Sequence, residues 1–212
     1  MKSVFAALCA TAMLGASAHA GGTNLLINAG FEDPMLTTPD APGAGAGWST
    51  FDNVFTSDGS TLNTGVFAEN QVLKMFGFGG VFQDFAASEG QTWNGGAFML
   101  NDSSDQMASG QVAAVNIEWL DASGNQISFI SNGTFTGADA TVDEWIQQTI
   151  TGVAPAGTAT ARLVLITGNF LAPAPGGGAP HFDNAFFEVI PTPGTASLFA
   201  IGGLVATRRR RA

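Results

Sequence analysis

Thiol chemistry is closed to almost all of this chain. Its one cysteine, Cys9, lies in an apolar run near the start. Disulfides, thiolate metal sites and a cysteine nucleophile are therefore excluded from everything that follows. Tyrosine is absent, so a ring carrying a hydroxyl cannot serve a binding surface. Histidine occurs twice, as His19 and His181. That excludes a His-rich metal site, and any Ser-His-Asp arrangement beyond residue 20 would have to use His181. No Gly-x-Ser-x-Gly elbow is present, and Gly77-x-Gly79-Gly80 lacks the strand-turn-helix setting and the following Lys of a phosphate loop. His181, next to a Pro/Gly loop, reads as an exposed loop residue rather than a base.

Positive charge is scarce in the middle of the chain. Of seven basic residues, only Lys74 and Arg162 fall between residues 21 and 190, against all seventeen acidic ones, a net of −15 there. Such a surface repels nucleic acid and anionic lipid. It suits divalent cations or neutral ligands such as sugars; adaptation to a salty habitat explains it equally well.

The two ends read differently. Met1-Lys2, the apolar run Val4 to Leu14 and Ala18-His19-Ala20 form a secretory signal peptide, residues 1–20. Leu8 before Cys9 does not fit a lipoprotein signal. At the other end stand Pro191, Thr192, Pro193 and Gly194, an apolar run from Thr195 to Thr207, then Arg208, Arg209, Arg210 and Arg211. A breaker, an apolar helix and a cluster of arginines held on the cytoplasmic face describe a membrane anchor. The run is shorter than the roughly 20 residues of a full span, which predicts transient anchoring. Residues 191–212 resemble the PEP-CTERM sorting signal, with Thr192 where that motif has Glu. The resemblance implies an exosortase-type membrane protease as partner, passage through the inner membrane, and delivery to the cell surface or extracellular matrix. An ordinary C-terminal anchor is the alternative.

Residues 21–190 are the length of one domain. No run of ten residues there has helical periodicity. Short runs rich in Phe, Val, Thr, Ile and Trp alternate with turn signals, predicting an all-β sandwich or jelly roll. Strands are expected at 24–28, 48–54, 65–69, 72–78, 81–85, 93–100, 112–120, 126–131, 145–151, 161–167 and 182–190. Loops are expected at 34–47, 121–125 and 171–180. In the 112–120 run, Val115, Ile117 and Trp119 alternate with Asn116, Glu118 and Leu120, as in a half-buried strand.

Asn24-Leu25-Leu26-Ile27-Asn28-Ala29-Gly30-Phe31-Glu32 is similar to the opening of the galactose-binding-like jelly rolls, which include carbohydrate-binding modules. The similarity continues through Gly47-Trp48, Val81-Phe82-Gln83, Glu89 to Trp93, Trp119-Leu120-Asp121, Trp145 with Ala154 to Thr158, and Phe182-Asp183-Asn184-Ala185. It implies a structural calcium ion held by Glu32 and Asp183, where first and last strands adjoin. Without a metal, Glu32 would cap a turn and Asp183 would accept backbone hydrogen bonds.

Sugar rings stack on flat aromatic side chains, which makes the tryptophans candidates. Trp48, Trp93 and Trp145 fall where the resembling family places core aromatics. Trp119, beside a hairpin loop, is the open one. Phe76 and Phe78, among glycines, form a possible aromatic lip. Asp102 with Asp105, and Asp143 with Glu144, read as solvated turn residues. Three functions follow: a non-catalytic module binding polysaccharide of the surface or matrix, a structural matrix protein without a glycan ligand, and a small glycan hydrolase or lyase.

Overall fold

The computed structural model describes residues 22–168 and 177–191. Nine strands account for its regular structure: β1 Asp40–Pro42, β2 Ser49–Ser57, β3 Val72–Ala86, β4 Thr92–Asn101, β5 Val112–Leu120, β6 Gln126–Thr136, β7 Ile146–Val153, β8 Thr160–Gly168 and β9 Pro180–Ile190. A single turn of 3-10 helix spans Ser103–Asp105. All strand pairs are antiparallel, in the order β6-β5-β8-β3-β9-β4-β7, with β2 added on β3 and β1 on β2.

One long strand makes two layers out of this path. The C-terminal half of β3, residues 79–86, pairs with β8, whereas Leu73 and Lys74 pair with β9. The layers face each other across Ile117, Trp119, Leu163 and Leu165 on one side and Trp93, Met99, Phe182 and Phe187 on the other. Burying each large apolar side chain contributes roughly 1.5–3 kcal/mol. Trp93 and Phe187 sit with ring centroids 4.7 Å apart at the centre. The far edges nearly close: Asn132 Nδ2 of β6 donates to Gln148 Oε1 and the Thr149 carbonyl of β7 at 3.1 and 2.8 Å. The result is an all-β jelly-roll sandwich.

Five expectations need correction. The runs 72–78 and 81–85 are one strand, because Gly79-Gly80 lies inside β3, where the Phe51 ring of β2 crosses Gly80 and leaves no room for a side chain. The expected strand 65–69 is a loop, and the expected loop 34–47 contains β1. Trp145 precedes β7 rather than opening it. The 24–28 run is not a ladder strand, although it lies where one belongs. Where β3 and β9 diverge, it fills the gap. The Asn24 side chain accepts from Phe187 N–H and donates to the Ala185 carbonyl, both at 3.0 Å. On its other flank, Gln83 of β3 accepts from Ile27 N–H at 3.0 Å and donates to its carbonyl at 2.7 Å. Leu25 N–H does reach the Phe187 carbonyl at 2.8 Å, but side-chain amides take the other places that a strand partner would fill.

Among the described residues, no helix is long and apolar enough to cross a membrane. The stretch 1–20 expected to be a signal peptide, residues 171–176 of the expected loop 171–180, and the tail from Thr192 lie outside the described residues; Pro191 is described and exposed.

Candidate functional site

The turn after the gap-filling segment brings Glu32 to the end of the chain. A Cβ on Gly30 would lie 3.7 Å from Glu32 Cγ and 3.9 Å from Asp183 Oδ1, so both carboxylates flank that glycine. The 65–71 loop wraps them with backbone donors. Glu32 Oε1 accepts from Asn70 and Gln71 N–H at 2.9 and 2.8 Å, and Asp183 Oδ2 from Ala68 N–H at 2.9 Å. Glu32 Oε2 is buried with no partner. Burial pushes the Asp183 carboxyl up to about 7; N–H donors from Ala68, Asn184 and Phe67 oppose this, and the Glu32 charge adds to it. Among the described residues, no three His, Cys, Asp or Glu gather around a metal position. A cation here would need carbonyl oxygens beside the two carboxylates, which is how calcium is commonly held.

The aromatic candidates separate. Trp119 is 2% exposed and belongs to the core, which corrects its assignment as a ligand contact. It points inward because it continues the Val115, Ile117 alternation of β5. Phe76 is half-buried, edge-on to Phe55 at 5.7 Å and 4.7 Å from the Lys74 ammonium. Phe78 is 47% exposed and leans on Phe51, centroids 5.8 Å apart. Trp48 and Trp93 are core residues. Trp145 is half-buried and donates from Nε1 to the Gly65 carbonyl at 3.1 Å.

Two polar assignments also change. His181 is 1% exposed rather than in an open loop, because β9 begins at Pro180 and carries it into the sheet opposite Lys74 and Leu100. Neither ring nitrogen has a partner. Burial pushes it down to about 4, aided by the Lys74 charge and opposed by Asp102. Asp102 is buried, not solvated. Burial raises its carboxyl, but Ser104 Oγ and the N–H groups of Ser104, Asn63 and Thr64 outweigh that and hold it down to about 2.

A further feature lies on the outer face of β5. Its inward residues are apolar, and its outward set is Val112, Ala114, Asn116 and Glu118. Asn116 faces out yet is only 9% exposed, so this face is hollow. Register gives three rows across the sheet. The first is Asp84–Arg162–Glu118–Phe129, the second Phe82–Val164–Asn116–Ser131, and the third Phe51–Gly80–Ile166–Ala114. The hollow has a volume of about 440 Å³, with Ala114, Asn116, Glu118, Phe129, Ser131 and Ile166 among its lining residues. Small side chains form its floor. Phe129, 56% exposed, stands at its rim. Asn116 Oδ1 is buried there without a partner. Beside the lining residue Glu118, Arg162 grips Asp84 through Nε–Oδ1 at 2.6 Å and Nη2–Oδ2 at 2.9 Å, lies 3.7 Å from Glu118, and covers the Phe82 ring at 4.0 Å. The one sequence signal for this site is the outward row of β5, too small and too weakly charged for an ordinary solvent face.

Solved structures place this architecture. A cyclase from Fischerella sp. TAU, in complex with 4-(1H-indol-3-yl)butan-2-one, aligns at 16% identity with a TM-score of 0.58, over 79% of this chain and 96% of its own. The arabinose-bound MgGH51 α-L-arabinofuranosidase aligns at 16% identity and 0.51, over 81% of this chain and 27% of that one. The CBM22-1–CBM22-2 tandem domain of Xyn10C from Paenibacillus barcinonensis aligns at 14% identity and 0.51, over 84% of this chain and 48% of that one. The fold is a jelly roll. At these identities the likeness is one of fold alone. No protein-family model matches the sequence, and no curated protein does.

In chemical terms the jelly roll offers two places. One is a carboxylate pair with an idle buried oxygen. The other is an open hollow with an apolar floor, an aromatic rim and an idle acceptor.

Proposed function

We propose that this jelly roll is a non-catalytic, exported protein that binds polysaccharide in the β5 hollow. The observation that carries the reading is Asn116 Oδ1, buried at the floor with no partner. An idle buried acceptor costs roughly 1–3 kcal/mol; a ligand hydroxyl would satisfy it. A sugar segment has both hydroxyls and apolar C–H faces, which match this acceptor, the Ile166 and Ala114 floor and the Phe129 ring. The likeness in fold to a CBM22 tandem domain supports the reading. Glu118, the acid lining the hollow, lies 3.7 Å from Arg162, which also holds the neighbouring Asp84; this supports binding over glycan cleavage. Affinity electrophoresis against a panel of polysaccharides tests it: retardation by at least one polymer, lost in Phe129→Ala, is expected. Retardation by none would leave the structural-matrix reading ahead.

The carboxylate pair fits a structural calcium ion. Glu32 and Asp183 would hold it, and the ion would neutralise their mutual repulsion and tie chain start to chain end. Residues 1–20 and 191–212 support export by a signal peptide and sorting by an exosortase-type protease, with transient inner-membrane anchoring before release to the surface or matrix. Mass spectrometry of the exported protein checks this: a chain starting at Gly21 and lacking the apolar run is expected.

A further inference from the structure

The geometry points to a selectivity that rests on the glycan reading of the hollow: it takes an uncharged polysaccharide and turns away uronate-bearing ones. Acidic polysaccharides are commonly read by a free guanidinium, whose planar fork matches a carboxylate. The guanidinium nearest this hollow, that of Arg162 beside the lining residue Glu118, is withheld. Both faces of the fork that could meet a carboxylate are already taken. Asp84 occupies it in bidentate fashion at 2.6 and 2.9 Å, and Glu118 stands 3.7 Å from Nη1. The Phe82 ring covers the guanidinium plane.

Register explains how this lock is built. Asp84, Arg162, Glu118 and Phe129 are successive cross-strand neighbours on β3, β8, β5 and β6, so all four side chains rise from the same face. Two carboxylates against one guanidinium leave this end of the hollow with net negative charge. The other basic side chain of residues 21–190, Lys74, is paired with Asp105 at 3.1 Å and cannot compensate. A uronate entering the hollow would meet Glu118 and Asp84 without a cation to receive it. A neutral sugar meets an aromatic rim, small side chains and one acceptor.

The test is affinity electrophoresis of the full-length protein in gels carrying xylan, β-glucan or galactan, and in gels carrying polygalacturonate or alginate. The native protein is expected to be retarded by a neutral polymer and by neither acidic one. The D84N/E118Q variant frees the guanidinium and is expected to tighten on polygalacturonate by roughly ten-fold, in a salt-sensitive way. E118Q alone, which leaves the bidentate Asp84 pair intact, is expected to gain less. Native protein retarded by polygalacturonate as strongly as by any neutral polymer would overturn the selectivity while leaving glycan binding standing. So would variants that still bind the neutral polymer but gain nothing on the acidic one. Retardation of the native protein by no polymer at all would remove the glycan reading itself, and the selectivity with it.

Discussion

Asn24 Nδ2 lies 3.0 Å from the carbonyl oxygen of Ala185, joining residues 161 positions apart in the chain. The same side chain receives Phe187 N–H. One amide therefore satisfies a donor and an acceptor of β9 that no strand covers. Asn24→Ala leaves both without their partner and is expected to cost about 1–3 kcal/mol, read as a lower urea midpoint. An unchanged midpoint would show that water replaces the amide freely.

Calcium binding to the folded state alone must raise the melting temperature, by about 2.7 kcal/mol of stability at a hundred-fold excess over Kd. The native protein is expected to melt higher in calcium than in chelator. Glu32→Gln is expected to remove that difference. Asp183→Asn removes a buried charge beside Glu32 and is expected to melt higher than native protein in chelator. Equal melting of native protein with and without calcium sinks the cation seat.

His181 makes the fold acid-sensitive. Its folded value, about 4, lies below the unfolded value of about 6.5. Between these the unfolded chain binds more protons, so stability falls as pH drops through that window. The full penalty, on the order of 3 kcal/mol, is present below pH 4. The raised Asp183 value acts in the opposite direction over much of the same range, because there the folded chain holds the extra proton. The measurement is therefore a difference: stability of native protein minus that of His181→Leu, from pH 7 to pH 4. This difference is expected to become more negative by a few kcal/mol, and parallel profiles would refute the assignment.

Asn116 sets stability against binding. Replacing it with Leu removes an idle buried acceptor while keeping its branched side-chain skeleton. The variant is expected to be as stable as native protein or more so, by up to about 1 kcal/mol, and to lose polysaccharide retention. A variant that keeps native retention would exclude Asn116 as a contact.

Much of the fold was legible in the residues. The alternation of Val115, Ile117 and Trp119 placed β5 and its inward face. The Asp121 to Asn125 loop placed the hairpin, and the turn spacing placed the class. What failed did so for physical reasons. Trp119 looked open because it ends a strand, but strand ends are covered when the opposing layer reaches past them. His181 looked solvated because a Pro/Gly loop precedes it, but Pro180 starts the strand. The run at 24–28 looked like a ladder strand because its apolar pattern suits one, yet it is held largely by side chains, its own Asn24 reaching β9 and Gln83 of β3 reaching Ile27, which no periodicity reports.

Glu32 and Asp183 were paired by resemblance to other chains, and folding brought them to one glycine. The order of residues marked the hollow only by the small, weakly charged outward row of β5. The amino-acid sequence by itself determined an acidic all-β chain without thiols, because composition and period-two alternation are local properties. The tertiary structure alone decided that Asp84, Arg162, Glu118 and Phe129 share a row, because register between strands distant in sequence sets which side chains meet.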